Sequence, residues 1–136
     1  MADKPDIETT IPQHFVVKHL EPGSYSPHHF RPHLLMRDLG VADATKGAIG
    51  IYTSKVTQAY SSEVEPGVHY HMPDFQYFYV LRGWQKMYFE GQGEITLWTG
   101  SGWLQARGLK HQVLDHSEDF EVLVINLPHK FDTVEV

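Results

Sequence analysis

The sequence predicts a single small all-β domain, arranged as a sandwich or a barrel. Short runs of β-branched and aromatic residues recur from residue 48 to the end, and Gly, Pro, Ser and Asp separate them. Very little of the chain has the periodicity of a helix. The length of 136 residues suffices for one hydrophobic core and leaves no room for a second core of useful size.

The N-terminal part differs in texture from the rest. Residues 1–33 are rich in proline and polar residues, so we expect an extended arm with at most one or two strands, for example around residues 15–17. The barrel domain is expected to cover residues 34–136. Between Arg37 and Thr45 the sequence is compatible with one helical turn, which Gly47 would end.

Closely spaced candidate strands follow this turn. The glycines between residues 89 and 95 supply the positive φ angles of a tight turn and therefore predict a hairpin. The predicted strands are residues 48–56, 59–64, 68–71, 75–81, 86–90, 94–98, 102–105, 111–114 and 120–127.

One of these strands, residues 75–81, is apolar or aromatic at almost every position. Both of its faces must therefore be covered, and only one of them can face the core of a small barrel. Because isologous dimers are the commonest oligomers, we expect a homodimer that covers the other face. Burial under the chain's own N-terminal arm is the alternative.

Composition excludes several classes of function. The chain has no cysteine, which rules out disulfides, a thiolate nucleophile and Cys-ligated zinc. The net charge is −6 and the basic residues are scattered, so no nucleic-acid footprint is expected. The polar N-terminus resembles neither a signal peptide nor an anchor, and no segment approaches membrane-spanning length. We therefore expect no membrane association and a cytoplasmic location.

Two histidines stand at alternate positions in the short strand predicted at residues 68–71. Side chains alternate between the two faces of a strand, so the imidazoles of His69 and His71 lie on one face and can converge on one ion. The pattern is weak by itself. Further along the chain, Gly100 and Gly108 bracket a turn that leads to His111 on another predicted strand.

In two segments the chain resembles the cupin superfamily, in particular small stand-alone bacterial cupins. The first cupin motif appears as HYH-MPDF-Q-YFYVLR-G at residues 69–83, and the second as G-SGWLQ-ARG-LK-H-QVL-D at residues 100–115. Both motifs occur in the family's order and separation. The resemblance implies a cupin barrel, also called a double-stranded β-helix or jelly roll.

The sequence departs from the family pattern at four positions. Glu63 stands where the first motif usually has its leading glycine, while Ala106 and Asp115 replace the proline and the asparagine of the second motif. These three are substitutions in turns. Gln76 replaces the usual glutamate, and this departure bears on the metal site.

The resemblance implies that His69, His71 and His111 are metal ligands, with Gln76 in the place of the carboxylate. Imidazole ligands suit iron, zinc, nickel or copper, so we expect one divalent transition metal ion. Three neutral imidazoles and a neutral amide leave the full +2 charge of the ion uncompensated. An anionic small-molecule ligand is therefore expected.

Several other residues are weaker candidates. Asp74 is a competing oxygen ligand, and Tyr70, Asp74 and Gln76 are candidate catalytic residues. Phe78 and Val80 share the strand face of Gln76 and are expected to line the pocket. Surface or packing roles are expected for His28, His29 and His33, and His116 and His129 are expected to face solvent.

Two functions remain open at this point. The first is a metalloenzyme that acts on a small oxygenated organic substrate. Its site would resemble those of cupin dioxygenases if it held iron, and with zinc it would suit a non-redox cyclase, isomerase or lyase. The second is a non-catalytic binding or sensor cupin, because one fold hosts many functions.

Overall fold

The computed structural model describes residues 10–28 and 31–136 and confirms the all-β fold. In the described part of the chain, no helix is long and apolar enough to cross a membrane. The elements, in chain order, are β1 (Ser26–Pro27), β2 (Leu34–Asp38), α1 (Val41–Ala44), β3 (Gly50–Val56), β4 (His69–His71), β5 (Phe75–Arg82), β6 (Trp84–Phe89), β7 (Gly93–Trp98), β8 (Gly102–Leu104), β9 (His111–His116), β10 (Glu121–Leu127) and β11 (Thr133–Glu135).

The strands form two antiparallel sheets whose inner faces share one core. The six-stranded sheet has the order β1-β2-β3-β10-β5-β8, and the five-stranded sheet has the order β11-β4-β9-β6-β7. Burial alternates along β10, as expected for a strand with one face toward the core. The core draws Val80 and Val124 from the first sheet and Met87 and Val113 from the second. The sheets therefore pack face to face, and the site described below lies between them.

All the predicted strands are observed with small shifts at their ends, except the one predicted at residues 59–64. That prediction is wrong, because this segment is a series of turns. The backbone N–H groups of Val64 and Glu65 donate to the Ser61 carbonyl, and the N–H of Glu63 donates to the Ser61 hydroxyl. These local bonds replace the ladder bonds that a strand would need. The predicted hairpin is confirmed, with Phe89 paired to Gly93 and positive φ at Gly91 and Gly93.

The N-terminal region also differs from expectation. Residues 15–17 form no strand, and Phe15 is 90% exposed. Instead β1 pairs with β2, so the predicted arm contributes a strand to the barrel sheet. The predicted helical turn is shorter than expected, because Arg37 and Asp38 belong to β2. Gly40, at φ 80, then turns the chain into α1.

Candidate metal centre

The three predicted histidine ligands lie together on two neighbouring strands of the five-stranded sheet. His69 and His71 share one face of β4, and His111 on β9 stands directly opposite His69. The ring centroids are 4.3 Å apart for His69 and His111, 4.9 Å for His71 and His111, and 5.0 Å for His69 and His71. One nitrogen of each ring lies within 4.8 Å of the other two. We call these residues the histidine triad.

Each imidazole of the triad has a fixed orientation. The Nδ1–H group of His69 donates to the Gly67 carbonyl at 2.9 Å, and that of His111 donates to the Leu109 carbonyl at 2.9 Å. His71 Nδ1 lies 2.7 Å from the hydroxyl oxygen of Thr133 on β11. One tautomer satisfies all three bonds and leaves every Nε2 unprotonated, which is the usual arrangement of metal-binding histidines, and the Nε2 of His111 also lies within hydrogen-bonding distance of Gln105.

The triad is electrically neutral near pH 7. Burial and, to a smaller extent, the charges of His111, His69 and Arg31 together lower the pKa of His71 to about 3. Burial likewise lowers the pKa of His111 to about 4 and lowers that of His69. Because a metal ion binds the neutral imidazole, it has no protons to displace there at neutral pH. The nitrogen donors, their separation and their protonation state fit a divalent transition metal ion.

Gln76 reaches the triad through a second amide. Its side chain on β5 is 3% exposed, and its Oε1 accepts a hydrogen bond from Gln105 Nε2 at 3.0 Å. The same nitrogen of Gln105 lies 3.3 Å from His111 Nε2. The side chain of Trp103 fixes Gln105 by donating from its indole nitrogen to Oε1 at 3.3 Å. Sequence reasoning missed Gln105, although it stands in the second motif as a polar residue behind an apolar run.

The other predicted site residues differ in whether their side chains face the cavity. Asp74 projects outward with its side chain 78% exposed, and it faces Arg107 at 3.4 Å. Tyr70 lies between the two triad residues of β4, so its side chain points to the opposite face. Phe78 lines the cavity and stacks on Trp103 with centroids 4.7 Å apart. Val80 is fully buried in the core cluster and is not among the cavity-lining residues.

The triad opens into a cavity of about 1000 Å³ between the two sheets. Most of its wall is apolar, and the N-terminal region supplies part of it. This volume lies at the upper end of the range for small-molecule sites. Its apolar lining includes Leu34, Met36, Phe78, Met87, Val122 and Phe131.

A second polar cluster was not predicted, and three of its four residues, Arg31, His33 and Glu65, line the same cavity. The Glu65 side chain is 3% exposed and contacts the guanidinium group of Arg31. Glu65 Oε1 is 3.3 Å from His33 Nε2 and 4.0 Å from His116 Nε2. We call these four residues the Glu65 cluster. The only sequence signal was the Glu-Pro-Gly turn at residues 65–67, which shows the backbone and not the direction of the carboxylate.

The burial and the positions of the remaining histidines differ in part from what the sequence predicted. His116, expected to face solvent, is 7% exposed and packs edge-on against Tyr60. His28, His33 and His129 line the cavity. They belong to the N-terminal region and to the C-terminal segment, which both supply part of the cavity wall. His29 lies outside the described residues.

Comparison with known proteins supports the fold. No family model and no curated protein matches the sequence. Among solved structures, the polyketide cyclase RemF from Streptomyces resistomycificus is similar over 88% of this chain and 85% of its own, with 16% identity and a TM-score of 0.66. A chain from the DMSP lyases RdDddP and RnDddQII matches 76% of this chain at 13% identity and a TM-score of 0.59. The oxalate decarboxylase from Bacillus subtilis, which has Mn(II) centres, matches 76% of this chain at 14% identity and a TM-score of 0.55.

These neighbours have the cupin fold, and so does the present chain, as the two motifs implied. The chain spans 52% of the DMSP lyase chain and 27% of the decarboxylase chain. It therefore corresponds to one part of those longer proteins.

Proposed function

We propose that this cupin is a metalloenzyme that acts on a small oxygenated organic molecule. The observation that carries the proposal is the arrangement of the triad. Three neutral imidazoles, each held through Nδ1, present Nε2 to one point at the wall of a ligand-sized cavity. Pre-organised donors of this kind are typical of metal centres.

The protein's own residues have distinct roles in this proposal. His69, His71 and His111 would hold the ion, and Gln76 would orient a ligand or a water molecule together with Gln105. The apolar wall around Phe78 would exclude water. A divalent ion at the triad supplies Lewis acidity toward a carbonyl or enol oxygen.

Two classes of reaction fit this centre. With iron, the site would suit dioxygenase-like chemistry on diketones or enols, and with zinc or nickel it would suit a non-redox cyclisation, isomerisation or elimination. The likeness to a polyketide cyclase and to a DMSP lyase supports the non-redox class. The likeness to a decarboxylase with Mn(II) centres supports a bound metal ion.

A non-catalytic binding or sensor cupin is the second candidate. The observation that favours it is the pairing of Gln76 with Gln105 beside His111, since two neutral amides offer no proton-transferring group at that position. Binding without turnover needs only the cavity and the ion.

The remaining expectations are part of the proposal. The ligand is anionic, because the ion's charge is not compensated by its neutral ligands. The protein is a homodimer in the cytoplasm, and it binds neither nucleic acid nor membranes.

Elemental analysis tests the central claim. Protein purified without an affinity tag or a chelator is expected to carry one equivalent of a divalent metal, and His111→Ala is expected to lose it because one of three donors is missing. His19→Ala is the matched control, since His19 is exposed on the arm. Metal-free protein is then reconstituted with iron, zinc, nickel and copper, because zinc can be acquired during expression.

Each outcome has a clear reading. Iron would direct the work to oxygen-consumption assays with diketones and enols, and zinc or nickel would favour a non-redox reaction. If His111→Ala kept its metal, the ligand assignment would be wrong. If the wild-type protein neither carried nor took up metal, the binding module would be the better interpretation.

A further inference from the structure

Arg31 occupies an unusual position in the cavity wall. Its guanidinium group is held from one side by the Glu65 carboxylate, while its Nε–H is buried without a hydrogen-bond partner. Burial lowers the pKa of Arg31 to about 10, so the group stays charged at neutral pH. A charged group with an unsatisfied buried donor is unfavourable, and an anionic acceptor at the guanidinium group would compensate it.

Arg31 and the histidine triad line the same cavity. Burial is the largest cause that lowers the pKa of His69, His71 and His111, and the charge of Arg31 is a smaller one. Glu65, which holds the guanidinium group, lines the same cavity.

A second unpaired polar atom lines the same cavity. Asn126 on β10 is 1% exposed, and its Oδ1 has no hydrogen-bond partner. Its side chain lies beside Tyr52, another lining residue. An unpaired amide oxygen accepts a hydroxyl proton, and the planar fork of an arginine binds a carboxylate. Much of the remaining cavity wall is apolar or aromatic.

We propose that Arg31 is the carboxylate anchor of this cavity and that the ligand is a small hydroxy acid with an apolar or aromatic body. The carboxylate binds the part of the guanidinium group that lines the cavity, and the hydroxyl donates to Asn126. The placement of a further ligand oxygen at the triad rests on the proposed function, whereas the carboxylate anchor itself does not require a metal.

Salicylate and its neutral analogue salicylamide test the anchor in chelator-treated, metal-free protein. Calorimetry is expected to show that the wild type binds salicylate at least about tenfold more tightly than salicylamide. One charge-assisted hydrogen bond is worth that much affinity. Arg31→Met should reduce this preference to within about twofold, since it keeps the aliphatic stem and removes the charge.

The variant Glu65→Gln distinguishes a carboxylate-binding role of Arg31 from a role in attaching the N-terminal arm through the ion pair with Glu65. The variant loses the ion pair and keeps the guanidinium group, so the preference for salicylate should persist or rise as a repelling carboxylate disappears. If Arg31 only tethers the arm, Arg31→Met and Glu65→Gln will change binding in the same direction. Arg107→Met is the surface control, because Arg107 is 58% exposed and outside the cavity.

Two further measurements keep the proposal open to contradiction. His111→Ala should lose the metal but keep the salicylate preference, which separates a failure of the anchor from a failure of the metal centre. If Arg31→Met does not fold, the Nε–H resonance of Arg31 in the wild type, assigned by its loss in Arg31→Lys, should shift with salicylate and not with salicylamide. Equal binding of both compounds by the wild type, or no binding of either, would overturn the proposal.

Discussion

Gln76 stands where the cupin motif has a glutamate, and the structure gives this substitution a local context. Its amide oxygen accepts from Gln105, whose nitrogen also lies beside His111 Nε2. A carboxylate could accept the same bond from Gln105, so the hydrogen-bonding partners do not demand an amide. The difference between the two residues is the charge at the triad.

Gln76→Glu should therefore shift the metal preference toward harder ions such as Mn(II). The carboxylate lowers the net charge of the centre and adds an anionic oxygen, which we expect to raise Mn(II) affinity roughly tenfold or more. The metal-free variant should lose about 1–3 kcal/mol of unfolding free energy, because it buries a charge with one neutral donor. Competition with a fluorescent chelator and chemical denaturation measure the two effects.

Gln92→Glu is the matched control, since Gln92 lies in the exposed turn between β6 and β7 and not in the cavity. It makes the same chemical change without a charge near the triad. An unchanged metal preference in Gln76→Glu would mean that residue 76 does not contact the ion.

At the scale of elements, the sequence was most informative for long runs of β-branched and aromatic residues between turn residues. Such runs became β3, β5, β9 and β10. This signal failed at residues 59–64, where side-chain and turn bonds to Ser61 outweigh β-propensity. It also missed β11, because Thr133–Glu135 forms a strand only by pairing with β4.

The residues of the site were likewise predictable only in part. The spacing of His69 and His71 and the cupin motif of His111 led to the triad, since strand alternation is a local property. The Glu65 cluster could not be predicted. It joins Arg31 of the arm to a turn and to the end of β9, and only the closed barrel brings these together. His116 is buried for the same reason.

Because Thr133 on β11 contacts His71 of the triad, we predict that Thr133→Val weakens metal binding. Thr133 is the partner of His71 Nδ1, and its loss frees the ring to rotate and to change tautomer. Loss of such an outer partner typically costs between about tenfold and a hundredfold in metal affinity. Zinc affinity of the metal-free variant, measured by competition with a chelating dye, provides the test.

Thr99→Val serves for comparison, because the Thr99 hydroxyl donates to the Gly83 carbonyl outside the cavity. It removes one hydrogen bond of the same type and should leave zinc affinity unchanged. Equal affinities in the two variants would show that β11 closes the sheet edge without organising the triad.

On the scale of the whole molecule, one face of the barrel remains apolar and uncovered. Odd-numbered side chains of β5 point away from the core, and Phe75, Tyr79 and Leu81 are 40%, 41% and 40% exposed. Within the described residues, the arm does not cover them. Tyr25 instead packs near β3 and β10, where its hydroxyl donates to Glu121 and the Lys55 ammonium lies 3.9 Å from its ring.

A second copy of the chain is the occupant that we predict for this face. Stable dimers bury on the order of 1,600 Å² in total, and contiguous exposed apolar side chains are the usual mark of such a surface. Tyr79→Glu should convert the dimer to a monomer in sedimentation velocity at micromolar concentration, because two like charges would meet near the two-fold axis of an isologous contact. Ile95→Glu, at an equally exposed position on β7, should remain dimeric. A wild type that sediments as a monomer, or a dimer that survives Tyr79→Glu, would contradict this assignment of the β5 face.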